Sequence, residues 1–151
     1  MLSKTSAIPI AVASALLTGA ANSADQRTTT FTVPLSGAAE TNFAHTSGGV
    51  GDPNETGSVR LAINPANRQV CYNFTLSGQS TPLMAHIHQG RALGIGPPVV
   101  TLFTGPGGDL DGCVTWTHSQ LAEIVAKPTD YYVDIDTLEF PDGAMRGQLA
   151  S

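Results

Sequence analysis

Two histidines one residue apart, His86-Ile87-His88, carry the clearest chemical signal in the chain. On an extended strand, residues i and i+2 share a face and stand ~6.7 Å apart along the backbone. Both imidazoles can then turn towards one metal ion. Asp134 and Asp136 repeat the same spacing later in the chain. If the two strands are neighbours, Asp136 approaches the histidines. Two histidines and a carboxylate suit Zn²⁺, Cu²⁺ or Fe²⁺ by ligand type. The predicted metal set is therefore His86, His88 and Asp136, with copper or zinc as the ion. The same residues also fit a structural role, in which imidazoles satisfy buried backbone groups and Asp136 pairs with a histidine. Spacing alone leaves both readings open.

The other reactive side chains carry less. Arg146 is a lone base in an apolar stretch with Glu139 and Asp142 nearby, which predicts a structural ion pair. His45 falls in a polar loop. His118 opens a helical pattern, where a cation is disfavoured by the helix dipole. Gly90, Gly94, Gly96 and the Gly105–Gly108 region lack a P-loop Lys and a following helix, so they are not read as a phosphate loop. Asn54-Glu55-Thr56 and Asn73-Phe74-Thr75 match glycosylation sequons, which matter only in a eukaryotic secretory route. No Ser or Thr sits in an activating context, so no catalytic residue is assigned and catalysis is not expected.

These side chains need a scaffold, and composition limits which. The 151 residues suffice for one domain, and 41% hydrophobic content supports a core. A formal charge of −5 argues against a nucleic-acid partner. Abundant Gly, Pro and Thr disfavour a helical bundle.

Residues 1–24 read as a secretory signal peptide: Lys4 in the n-region, Ala7 to Leu17 as the apolar segment, then small residues up to Ala24. The apolar segment is too short to span a bilayer, and no later run is long enough. The expected mature domain is 25–151, secreted or periplasmic, with no membrane span. Its two cysteines, Cys71 and Cys113, lie in strand-like surroundings without metal-ligand or redox-motif spacing. An even count in an exported chain predicts a disulfide.

The mature chain alternates short strand patterns with Gly/Pro/Asn turns. Val59, Leu61 and Ile63 share one face, as do Val70, Tyr72, Phe74 and Leu76; Asn64 to Asn67 turns between them, so the pair reads as a hairpin. Further strands are expected near 28–35, 83–88, 99–103, 113–117, 131–137 and 144–149. Leu121, Ile124 and Val125 switch to helical spacing. A Thr117/Gln120 capping box and Lys127-Pro128 bound one short helix at about 118–126. The polar stretch from Gly37 to Thr56 reads as a long surface loop. Together these predict an all-β fold, an antiparallel β-sandwich with one short helix.

Four segments in order give a resemblance: Leu35-Ser36-Gly37-Ala38-Ala39-Glu40, Ala85-His86-Ile87-His88-Gln89-Gly90, Gly96-Pro97-Pro98-Val99-Val100-Thr101-Leu102, and Tyr131 to Leu149 closing on Arg146-Gly147-Gln148-Leu149. From about Phe31 to Leu149 the chain resembles the CHRD, or chordin-type, domain family. The resemblance implies secretion and a β-sandwich of immunoglobulin-like or superoxide-dismutase-like form, but no established reaction. Cys71 and Cys113 resemble the pair in many bacterial members. The family's closing strand typically reads Tyr-x-Asn-x-His-Thr with hydrophobic x. Here Tyr132-Val133-Asp134-Ile135-Asp136-Thr137 puts Asp136 in the histidine position, and Ala144 stands where many members carry Glu. The expected function is a non-catalytic binding or structural module for an unknown extracellular ligand. The alternative is a copper or zinc protein using the His-x-His strand, with redox activity as one outcome.

Overall fold

A computed structural model describes residues 27–41, 50–78 and 80–149. The expected signal peptide and His45 lie outside these residues. Eight strands follow in chain order: β1 Thr29–Ser36, β2 Thr56–Asn64, β3 Gln69–Ser77, β4 Pro82–Gln89, β5 Pro98–Thr104, β6 Asp111–Thr115, β7 Tyr131–Thr137 and β8 Met145–Gln148. One helix, α1 His118–Ala126, falls between β6 and β7.

The expected β2–β3 hairpin forms in full register, from Thr56 opposite Ser77 to Asn64 opposite Gln69. Alternation sends Val59, Leu61, Ile63, Val70, Tyr72 and Phe74 inward, where all are buried. Helix α1 adds Leu121 and Ile124 to the same core. Its bounds match the sequence expectation, but the capping box does not form: Thr117 occupies the N-cap without a side-chain cap bond, and Gln120 instead reaches the Tyr131 hydroxyl at 3.5 Å.

The strands are antiparallel throughout, as predicted, with their layering different from a two-sheet sandwich. They form one continuous sheet in the order β5-β4-β7-β8-β1-β2-β3-β6. The sheet curls until β5 and β6 approach each other, nearly closing a barrel. Phe103 on β5 meets Tyr72 and Phe74 on β3, with ring centroids 6.2 and 5.9 Å apart. Strand twist favours such curling, and irregularities sharpen it. The β4–β5 register shifts between Ala85 and His86 and again between Ile87 and His88. Such shifts bend a strand and re-aim its side chains, here beside both histidines.

The Cys71–Cys113 disulfide forms between directly opposed residues of β3 and β6, tying the short edge strand β6 to the hairpin. It closes a segment 42 residues long. Replacing both cysteines by Ala is expected to lower unfolding free energy by ~4 kcal/mol in the chain-entropy account. Urea denaturation would show this as an earlier midpoint; an unchanged midpoint would mean that β6 is held by its ladder alone.

The stretch between β1 and β2 is not simply a surface loop. Gly37, Glu40, Gly51, Asp52 and Glu55 are all buried. Asp52 N–H donates to the Ala144 carbonyl at 2.9 Å, pinning this connection against the turn before β8. Gly37 packs so tightly on the Asp52 backbone that a Cβ there would collide with it.

Candidate metal centre

β4 and β7 are neighbours, although His88 and Asp134 are far apart in sequence. His86 lies opposite Asp134, His88 opposite Tyr132 and Met84 opposite Asp136. Alternation points Ala85, Ile87, Val133 and Ile135 into the core at 0% exposure. It sends His86, His88, Asp134 and Asp136 to the other face. Glu40, Thr41 and Gly96 lie against that face, and every residue of β7 is buried.

The two imidazoles meet edge to face, with centroids 5.5 Å apart. His88 Nε2 stands 3.1 Å from Asp134 Oδ2, and His86 Nδ1 stands 3.9 Å from Asp134 Oδ1. Asp136 Oδ2 is 4.0 Å from His86 Nδ1. One donor atom each from His86, His88 and Asp134 lies within 4.8 Å of the others. Bonds of ~2.0–2.2 Å to one ion place donors about 3–3.6 Å apart, so modest side-chain rotation closes the set. Asp134 is therefore the carboxylate between the histidines, while the expected Asp136 stands beside His86. Asp134 and Asp136 both occupy the predicted strand, and its pairing register decides which is central.

His88 is held in a defined tautomer. Its Nδ1 faces the Gly96 carbonyl at 2.9 Å, and a carbonyl only accepts, so Nδ1 carries the proton. In the neutral ring, Nε2 then presents a lone pair towards the Asp134 carboxylate. The contact is at ion-pair distance, and Nε2 has no other polar partner among the described residues. Asp134 Oδ1 and Glu40 Oε1 are likewise buried, without a hydrogen-bond partner among the described residues. Buried polar atoms are nearly always paired, because leaving one unpaired costs ~1–3 kcal/mol.

A cleft of about 440 Å³ opens over this face, with Glu40, Thr41, Val50, His88, Ile95, Tyr132, Asp134 and Arg146 among its walls. Glu40 was not among the residues singled out by chemistry. Its signal was an acid ending the otherwise small, uncharged Ser36–Ala39 run. Burial, reinforced by the Asp134 charge and opposed by Arg146, pushes its carboxyl up to about 8. Burial and then Asp134 raise Asp136 to about 7. Burial also lowers His86, against the pull of Asp134. For His88, burial lowers the pKa, but the Asp134 contact and charge outweigh it and leave the pKa raised.

Arg146 takes a different place from the ion pair expected of it. Its Nη1 donates to Thr41 Oγ1 at 2.8 Å and to the Gly94 carbonyl at 2.9 Å, while Nη2 points to the Arg91 carbonyl at 3.4 Å. Its guanidinium lies 3.5 Å from the Tyr132 ring centroid, and Tyr132 stacks on His88 at 4.9 Å. None of the ion pairs among the described residues includes Arg146. His118 lies at the start of α1, on a different element from this cluster.

A family model described as the CHRD domain matches residues 31–149. No curated protein and no solved structure matches the chain.

Proposed function

The chain belongs to the CHRD-domain family, and from that premise we propose that it is an exported binding domain for a divalent transition metal, copper or zinc. Family membership specifies no reaction, so the argument rests on the site. One observation carries it: Glu40 Oε1, His88 Nε2 and Asp134 Oδ1 are buried, lack a hydrogen-bond partner among the described residues, and belong to residues that line one cleft. His88 Nε2 faces the Asp134 carboxylate at 3.1 Å, an arrangement that a proton or a metal cation stabilises. His86 Nδ1, His88 Nε2 and an Asp134 oxygen are the donors, a set suited to zinc or copper. The Gly96 carbonyl on His88 Nδ1 is the kind of outer partner that orients metal-bound imidazoles. Asp136, in the position where the family resemblance implies a histidine, adds charge beside His86.

In this reading, residues 1–24 direct export, 25–151 form the mature domain, and the disulfide suits an oxidising compartment. The test is calorimetric titration of chelator-stripped, tag-free protein with Zn²⁺ and Cu²⁺. One equivalent is expected to bind. Absence of saturable binding for both ions would return the cluster to a structural His88–Asp134 ion pair.

A further inference from the structure

The three proposed donors come from two adjacent strands and rise from one sheet face, so they approach an ion from one side. Zinc-type sites with three protein donors keep at least one further position for a water or an added ligand. His88 and Asp134, two of the three donors, line the cleft.

The charges around the cleft indicate what fills it. Asp134 and Asp136 together balance a divalent ion. Arg146 then remains as a cation, only 4% exposed. Its bonds run to Thr41 Oγ1 and to the Gly94 and Arg91 carbonyls, all neutral acceptors. A guanidinium has five N–H groups, so this leaves donor capacity. Val50 and Ile95, 37% and 38% exposed, provide an apolar rim.

Resting on the metal reading above, we propose that the cleft binds a small anion, a short-chain carboxylate, through the metal's open position and the Arg146 guanidinium. Its charged end lies over the His86–His88–Asp134 set, and its hydrocarbon part meets Val50 and Ile95.

The experiment uses the full tag-free domain loaded with Co²⁺, whose visible bands report coordination, after metal analysis has established the loading. Titration first with azide, then with acetate and butyrate, is expected to shift the bands saturably, with butyrate binding more tightly than acetate. Arg146→Gln should retain Co²⁺ and weaken acetate by about tenfold. Ile95→Asp, a change at the exposed rim, should weaken acetate by about threefold or more through like-charge repulsion. It decides the question should Arg146→Gln fail to fold. Stoichiometric Co²⁺ with bands unmoved by all three anions overturns this inference and leaves the metal reading standing. Failure to load Co²⁺, Zn²⁺ or Cu²⁺ overturns both. Equal acetate affinity in wild type and Ile95→Asp removes the cleft from the binding mode.

Discussion

His88→Ala is expected to lower Zn²⁺ or Cu²⁺ affinity by about a hundredfold or more, because it removes a donor rather than an outer contact. His86→Ala and Asp134→Asn should follow, each deleting one of three converging donors. Asp136→Asn is the informative contrast. Its oxygen stands 4.0 Å from His86 Nδ1 and is not one of the converging set, so its loss should weaken binding by only about tenfold or less. Calorimetric titration of the four variants tests this order. A larger loss for Asp136→Asn than for Asp134→Asn would make Asp136 the ligand, as the sequence alone suggests. All variants should retain the wild-type far-ultraviolet circular dichroism, since the changed side chains face away from the core.

The second large effect is on stability against pH. Glu40 and Asp136 have folded-state pKa values raised from 4.5 to about 8 and from 3.8 to about 7. A carboxyl raised on folding binds more protons in the native state than in the unfolded chain. Its stabilising share is full below the unfolded pKa and is lost as pH rises through the folded value. His88, also raised, has the same sign; His86, lowered, opposes it in the range just below its ordinary 6.5. Metal-free protein should therefore lose stability between about pH 5 and pH 8, where many proteins are near their optimum. Glu40→Gln removes the buried charge while keeping the shape. It should flatten the decline and leave the variant more stable than wild type at the alkaline end. Bound metal should reverse the trend, because it takes deprotonated donors and replaces protons as the counter-charge. Urea melts of stripped and zinc-loaded protein at several pH values measure both slopes. Metal-free stability that rises towards pH 8 would contradict the burial of charge at Glu40 and Asp136.

Local pattern was enough for much of the scaffold. Residues 58–63 and 69–76 alternate with period two, and the turn between them leaves one economical pairing, so the β2–β3 hairpin was legible. Leu121 and Ile124 announced α1 for the same reason: three-residue spacing places both on one helix face. The His-x-His spacing likewise put both imidazoles on one side of a strand before any tertiary contact was known. The even cysteine count anticipated the disulfide.

What sequence could not decide lies in contacts between distant segments. Which strand lies beside β4, and in what register, depends on the whole sheet; a shift of two residues would have put Asp136 opposite His86 instead of Asp134. One curled sheet and a two-sheet sandwich present the same inward–outward alternation, so only the order of pairing separates them. The polar face of β7 is buried as fully as its core face, which the alternation of residue types does not show. Glu40 gains its raised pKa, and Arg146 its place on Tyr132, from that same packing. Residue type and period are local properties and determined the donors available. Burial and convergence arise from tertiary packing, which decided which donors meet and in what charge state.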